Sequence, residues 1–282
     1  RNMAVEMGLS LEGCEVLDLR EAHYAPVRQR YAEIHAKKME RRGYTLQEAI
    51  DKMYERNFFG MMMVETGDAD AMVTGMYTKY SNTIKVAKEV IGIRPGFNHF
   101  AAMHILNTKR GLTFIADTLI NRSPNAETLE DIALLAASTA RFFNRTPVCA
   151  MISYSNFGTD TEGSAGMVQE VIERLHQHHP ELAIDGEMQV NFALNRELRD
   201  EKYPFTRIKG MDVNTLIFPN LSAANTSYKM IKNLAEDAAV IGPIQMGLNK
   251  PIHFTDFESS VRDIVNITAI AVLDAFAQHL RP

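Results

Sequence analysis

The chain has 282 residues, enough for a large core and, at ordinary domain sizes, for two domains. Hydrophobic residues make up 46% and charged residues 23%, the proportions of a globular protein, and a net charge of −5 gives no electrostatic footprint for nucleic acid. No apolar run approaches the roughly 18 residues that cross a bilayer, and the opening segment lacks a signal-peptide pattern, so no membrane partner is expected and a cytoplasmic location is.

Cys14 and Cys149 lie far apart among apolar neighbours and are expected to be buried thiols of a reducing compartment. The chain opens at Arg1 without an initiator Met, which suggests a piece of a longer protein. Lys37, Lys38, Arg41 and Arg42 alternate with Glu33, Glu40 and Glu48 and are expected on a solvated helix face.

In chain order, "TLQEAIDKMYERN" begins a helix at Thr45, with Glu48 completing a capping box. "GDADAMVTG" reads as a turn and a short strand, and "SNTIKVAKEVIG" as a helix closed by Gly92. "HFAAMHILNT" and "LTFIADTLIN" are strand-like and joined by Lys109-Arg110-Gly111. A strong helix follows in "AETLEDIALLAASTARFF", then a buried strand in "PVCAMISYS" and a helix in "GSAGMVQEVIERLHQHH". "VNTLIFPN" is strand, "SAANTSYKMIKNLAED" helix, and "AAVIGPIQMG" the expected last strand. "SSVRDIVNITAIAVLDAFAQHL" closes the chain as a helix that is apolar nearly all round and so expected to be buried on most sides. This alternation predicts α/β units on mostly parallel sheets, with ligands at the C-terminal ends of the strands.

No G-x-G-x-x-G or P-loop run is present, no C-x-x-C or H-E-x-x-H spacing suits a metal, and no G-x-S-x-G elbow occurs. His176, His178 and His179 fall at a helix end, where the dipole favours cations. The loop "SYSNFGTDTEGS", between a strand and a helix, offers Ser155 and Asn156 as donors to a polar ligand head.

Taken together, "GDADAMVTG", "ISYSNFG", "DGEMQVNFAL", "IFPNLSAANTSYKMIKNLA", "GPIQMGLNKP" and "SSVRDIVNITAIAVLDA" resemble the phosphotransacetylase (phosphate acetyl/butyryl transferase) family. The resemblance implies two α/β domains with a cleft between them and a last helix that returns to the first domain. It places them at 1–107 plus 250–282 and at 108–249. The family's reaction moves an acetyl group between phosphate and coenzyme A. That chemistry needs a base for the thiol, arginine forks for the phosphate and donors for the oxyanion.

Matched to the family pattern, the base position is Asp263, three residues after Ser260 in an S-x-x-D capping spacing. The family's Ser-Arg pair falls on Asp256 and Phe257, and three arginine positions fall on Lys85, Asn233 and His99. The family's lysine survives as Lys229, and its cysteine becomes Thr118. A carboxylate at Asp256, ~4 Å from a transferring phosphate, would repel it by roughly 4 kcal/mol at an effective dielectric near ~20.

The resemblance is strongest to the C-terminal phosphotransacetylase-like domain of large NADP-dependent malic enzymes. It implies an acetyl-CoA-binding regulatory domain without acetyltransferase activity, in a homodimer or higher oligomer, fused to an upstream malic enzyme domain that holds NADP and a divalent metal. An active phosphate acetyltransferase is the alternative. Acetyl-CoA or CoA is expected in the cleft, near Lys85, Thr118, Ser155, Asn156, Lys229, Asn233, Asn249 and Lys250.

Overall fold

The computed structural model describes residues 2–235, 238–255 and 257–279. Two compact units emerge, residues 1–69 and 70–282.

The first unit is helical: α1 (Asn2–Glu6), α2 (Ala25–Met39), α3 (Leu46–Lys52) and α4 (Arg56–Thr66). The capping box expected at α3 is present. The Thr45 hydroxyl accepts from the Glu48 N–H at 3.2 Å, and the Glu48 carboxylate accepts from the Thr45 N–H at 2.8 Å. Tyr31, Met39, Met53, Phe59, Met61 and Met62 are buried, and Lys37, Lys38, Arg41 and Arg42 are exposed. Cys14, expected to be buried, is exposed. It lies in a stretch without helix or strand to cover it.

The second unit begins with β1 (Met72–Thr74), α5 (Tyr80–Val90), β2 (Ala101–Thr108), β3 (Gly111–Ala116) and α6 (Ala126–Phe142). It continues through β4 (Cys149–Ile152), α7 (Gly163–His178), β5 (Ile184–Met188), α8 (Val190–Leu194), α9 (Arg196–Lys202) and β6 (Thr215–Ile217). Its last elements are α10 (Leu221–Leu234), β7 (Ala239–Met246), β8 (Ile252–Phe254) and α11 (Val261–His279). Six strands form one sheet in the order β5-β4-β6-β3-β2-β7. The first four are parallel, and β2 is antiparallel to both its neighbours.

Register explains the uninterrupted apolar runs of these strands. Ile115, Leu216 and Ala150 form one cross-strand row, and Ala116, Ile217 and Met151 form the next. Successive rows face opposite sides of the sheet. The first row packs with Phe218, Ala224 and Tyr228, the second with Leu129, Ile132, Val168 and Val171. Both faces are covered by helices, so no position is left for a polar alternation.

Two expectations change here. β7 is not the last strand, because β8 follows and pairs in parallel with β1, Met72 opposite Ile252. Gly75 allows that pairing to continue into the next turn. Its φ is +130°, and a Cβ there would sit 2.0 Å from the Thr255 carbonyl oxygen. The final helix is buried on one face only. Ile267, Ile270, Ala271 and Ala275 are buried, whereas Val265, Leu273 and Phe276 are 60%, 54% and 64% exposed.

Candidate functional site

β2, α10, β7 and the start of α11 with the loop before it converge on a small polar cavity of about 100 Å³, and the turn after β3 backs its wall. Its construction begins at Asp117, just past β3. That buried carboxylate accepts backbone N–H groups from Ala102 at 3.1 Å, Leu119 at 3.0 Å and Asn121 at 2.7 Å. Burial pushes its pKa up, and these hydrogen bonds pull against the shift. The turn so fixed holds Thr118, fully buried, whose hydroxyl donates to the Ala102 carbonyl at 3.2 Å.

His104 rises from β2 beside it. Its Nδ1 lies 2.9 Å from the Thr118 hydroxyl, and its ring stacks on Tyr228 of α10 at 3.9 Å between centroids and 13° between planes. Under the ring passes Gly242 of β7. A Cβ there would lie 2.7 Å from His104 Cδ2, so only glycine lets the strand through. Burial, with help from the nearby Lys232 and Lys229 ammonium groups, pushes the His104 pKa down to about 3. The imidazole is neutral at physiological pH.

α10 starts at Asn220, whose side chain accepts from the Ala223 N–H at 3.0 Å. Asn225 donates to the Thr118 carbonyl at 3.1 Å and ties the helix to the turn. Lys229, Lys232 and Asn233 follow at i, i+3 and i+4, on one helical face, and line the cavity. Opposite them are Glu258 and Asp263. Lys229 Nζ is 3.7 Å from the Glu258 carboxylate. Asp263 makes the cap of α11, accepting from the Ser260 N–H at 3.0 Å and the Ser260 hydroxyl at 2.9 Å. The capping role expected for it is present.

Of the candidate residues, Lys229, Asn233 and Asp263 meet in this cavity, and Thr118 stands directly behind its His104 wall. The rest lie elsewhere. The Ser155 hydroxyl donates to Glu187 at 2.7 Å, and the Asn156 side-chain oxygen accepts from the Gln189 N–H at 2.9 Å. Lys85 is exposed on α5, and Asn249 donates its backbone N–H to the Gly92 carbonyl at 3.1 Å. Lys250 lines a different cavity of about 60 Å³ with Arg94, Gln245, His253 and Asp274. His99 is held by Asp131 at 2.9 Å and Thr128 at 3.2 Å. Asp256 lies outside the described residues, and Phe257 beside it is 68% exposed.

His104, Tyr228, Lys232 and Ser259 also line it without having been singled out from the sequence, alongside Glu258, Val240, Gly242 and Pro243. Lys232 was within reach, because i, i+3 from Lys229 lies on the same face. Burial pushes the Cys149 thiol up to about 12, which leaves it no nucleophilic character at neutral pH. Among the described residues, no group of three or more His, Cys, Asp or Glu could hold a metal ion, and no helix is long and apolar enough to cross a membrane.

Fold and cavity define a class: an α/β protein in which ammonium groups of α10 and carboxylates at and just before the start of α11 surround a small polar cavity. A family model for "Phosphate acetyl/butaryl transferase" matches residues 1–272, and the chain belongs to that family. It is 40% identical over 238 residues to an NADP-dependent malic enzyme of Salmonella typhimurium, covering 84% of this chain and 31% of that protein. It is 32% identical to a phosphate acetyltransferase of Nitratidesulfovibrio vulgaris, covering 97% of this chain and 38% of that protein. The chain thus spans about a third of the length of these curated relatives. A solved phosphotransacetylase from Streptococcus pyogenes superposes with a TM-score of 0.85 at 29% identity, over 98% of this chain and 83% of that one.

Proposed function

We propose that this chain is the phosphotransacetylase-like domain of an NADP-dependent malic enzyme, and that it binds acetyl-CoA as a regulator without transferring the acetyl group. The observation that carries the reading is the charge balance of the cavity. Two ammonium groups, Lys229 and Lys232, face two carboxylates, Glu258 and Asp263, and no arginine is among the described lining residues. A transferring phosphoryl group spreads negative charge over its oxygens and needs fixed positive charge or guanidinium forks to meet it. Here Glu258 already lies against Lys229.

Binding is a smaller demand than transfer. At about 100 Å³ the cavity is smaller than a pocket that encloses a whole cofactor, so it takes one end of the ligand. Lys229 and Lys232 at its rim suit the phosphates of coenzyme A as point charges, with Asn233 beside them. The same reading keeps the partition of 1–107 with 250–282 against 108–249. The pairing of β1 with β8 supports it, since both strands fall on the same side of that division, whereas β2 lies across it from β3 and β7, with which it pairs. It also includes a homo-oligomer, a cytoplasmic location, and NADP and a divalent metal held by an upstream domain of the full protein.

An active phosphate acetyltransferase is the second reading. Asp263 favours it, because the family's base position lines the cavity. A coupled assay for acetyl-CoA formed from acetyl phosphate and CoA separates the two. No turnover above background, with acetyl-CoA bound in a calorimetric titration, is the expected result. Sustained turnover would establish the second reading.

A further inference from the structure

A second cavity, of about 60 Å³, is walled by the end of α6, β7, β8 and the second half of α11. It shares no lining residue with the cavity under α10. One of its walls is His253, which is 1% exposed. The Gln245 N–H faces His253 Nδ1 at 3.4 Å. A backbone N–H only donates, so Nδ1 offers a lone pair and the ring hydrogen sits on Nε2. Among the described residues, that buried Nε2 has no hydrogen-bond partner. Asp274 Oδ2 lies 3.5 Å away, too far for an ordinary N–H···O bond. Asp274 lines the same cavity, so the edge of the ring that carries Nε2 is the edge turned toward it. A buried donor left unmet costs free energy, which an incoming oxygen would recover.

The rest of the lining sets the kind of oxygen. Arg94 and Lys250 bring two positive charges and Asp274 one negative, so the described carboxylate and cations leave one positive charge to be met. Phe142, Ile244, Ile252 and Ile270 make another part of the wall apolar. A doubly charged inorganic oxyanion would press charge against Asp274 and oxygens against these hydrocarbon groups. A singly charged carboxylate with a short aliphatic tail satisfies both parts. Its oxygens meet the Nε2–H and the Lys250 ammonium, and its tail meets the apolar wall. At roughly 10–15 Å³ of such volume for each water-sized group, the cavity holds about four to six of them, the size of acetate or propionate.

We propose that this cavity is a binding site for a short-chain aliphatic carboxylate, held by His253 Nε2–H and the Lys250 ammonium. The site stands apart from the α10 cavity, and the proposal does not depend on the acetyl-CoA reading.

Acetate is the probe, followed in a proton–nitrogen correlation spectrum of the chain labelled at histidine. His253→Gln identifies the His253 signals by their loss. The unaltered chain should show Nδ1 without hydrogen and Nε2 with it. Acetate at constant ionic strength should move the Nε2 signal saturably, with a dissociation constant on the order of 1 mM, and sulfate should act at least about tenfold more weakly. Lys250→Met keeps the aliphatic stem and drops the charge. It should weaken acetate roughly ten- to hundredfold and leave acetyl-CoA affinity within about twofold. Asp274→Asn removes the opposing charge and should tighten acetate at least about threefold, a gain that loss of folding would not produce. No saturable movement up to ~50 mM acetate would overturn the proposal, and so would an equal response to sulfate. A hydrogen on Nδ1, or acetate affinity indifferent to both substitutions, would overturn it as well. A loss of acetyl-CoA affinity in Lys250→Met as large as in Lys229→Ala would assign Lys250 to acetyl-CoA and contradict the separate site.

Discussion

Two polar regions of the second unit follow strands of the same sheet, yet they are built to opposite ends. The loop after β4 carries Ser155, Asn156 and Gly158, the kind of hydroxyl, amide and glycine set that often grips an anion. In the structure these groups are already engaged. Glu187 accepts from the Ser155 hydroxyl at 2.7 Å and the Gly158 N–H at 2.9 Å, and Asn156 holds the Gln189 N–H. The cavity under α10 is poorer in such motifs but keeps Lys229, Lys232 and Asp263 turned toward one space. Polar residues grouped in a loop are as readily a self-contained brace as a site. What distinguishes them is where the hydrogen bonds end.

Removing the brace should have the largest effect. Glu187→Ala leaves the buried Ser155 hydroxyl without its acceptor and opens a void at a fully buried position. The expected loss is about 2–4 kcal/mol of unfolding free energy in a urea titration, with acetyl-CoA affinity unchanged. A large affinity loss in folded Glu187→Ala would erase the contrast between the regions.

His104 gives the cavity a pH signature. Its folded pKa of about 3 lies below the ordinary value of 6.5, so between these limits the unfolded chain binds a proton that the folded chain refuses. Its contribution to stability is complete above pH ~6.5 and falls as pH drops toward ~3, by roughly 2 kcal/mol at pH ~5. Urea titrations at the two pH values should show this loss, and His104→Gln should reduce it. An equal loss in the variant would place the titration elsewhere.

A smaller effect is expected at the edge of the cavity. Ser260→Ala removes one half of the reciprocal cap with Asp263 and should cost about 1 kcal/mol by thermal or chemical unfolding. A cost near zero would mean that Asp263 caps α11 without its partner.

Much of the second unit was legible in the sequence because its strands are apolar runs between strong helical patterns. α6, α7 and α10 each show an apolar face. β8 escaped because three residues, Ile252–Phe254, give no periodicity to count. In α11 the ring of apolar residues was visible, but which side would be covered was not. The lysine and the asparagine of the cavity were legible through the family pattern, and the aspartate through that pattern and its S-x-x-D capping spacing. His104 was not, since one histidine in the run "AAMHILNT" looks like a core residue until Thr118 and Gly242 are set around it. Glu258 lies between β8 and α11, outside any helix or strand.

The account centres on Lys229 as the cation that holds the ligand. Its most direct test is a calorimetric titration of acetyl-CoA into the chain and into Lys229→Ala. Loss of a charge-assisted hydrogen bond to phosphate costs roughly 1.5–3 kcal/mol, so affinity should fall about tenfold to a hundredfold while the melting temperature of the free protein stays nearly unchanged. A dissociation constant within about twofold of the original would place the ligand elsewhere and contradict the account.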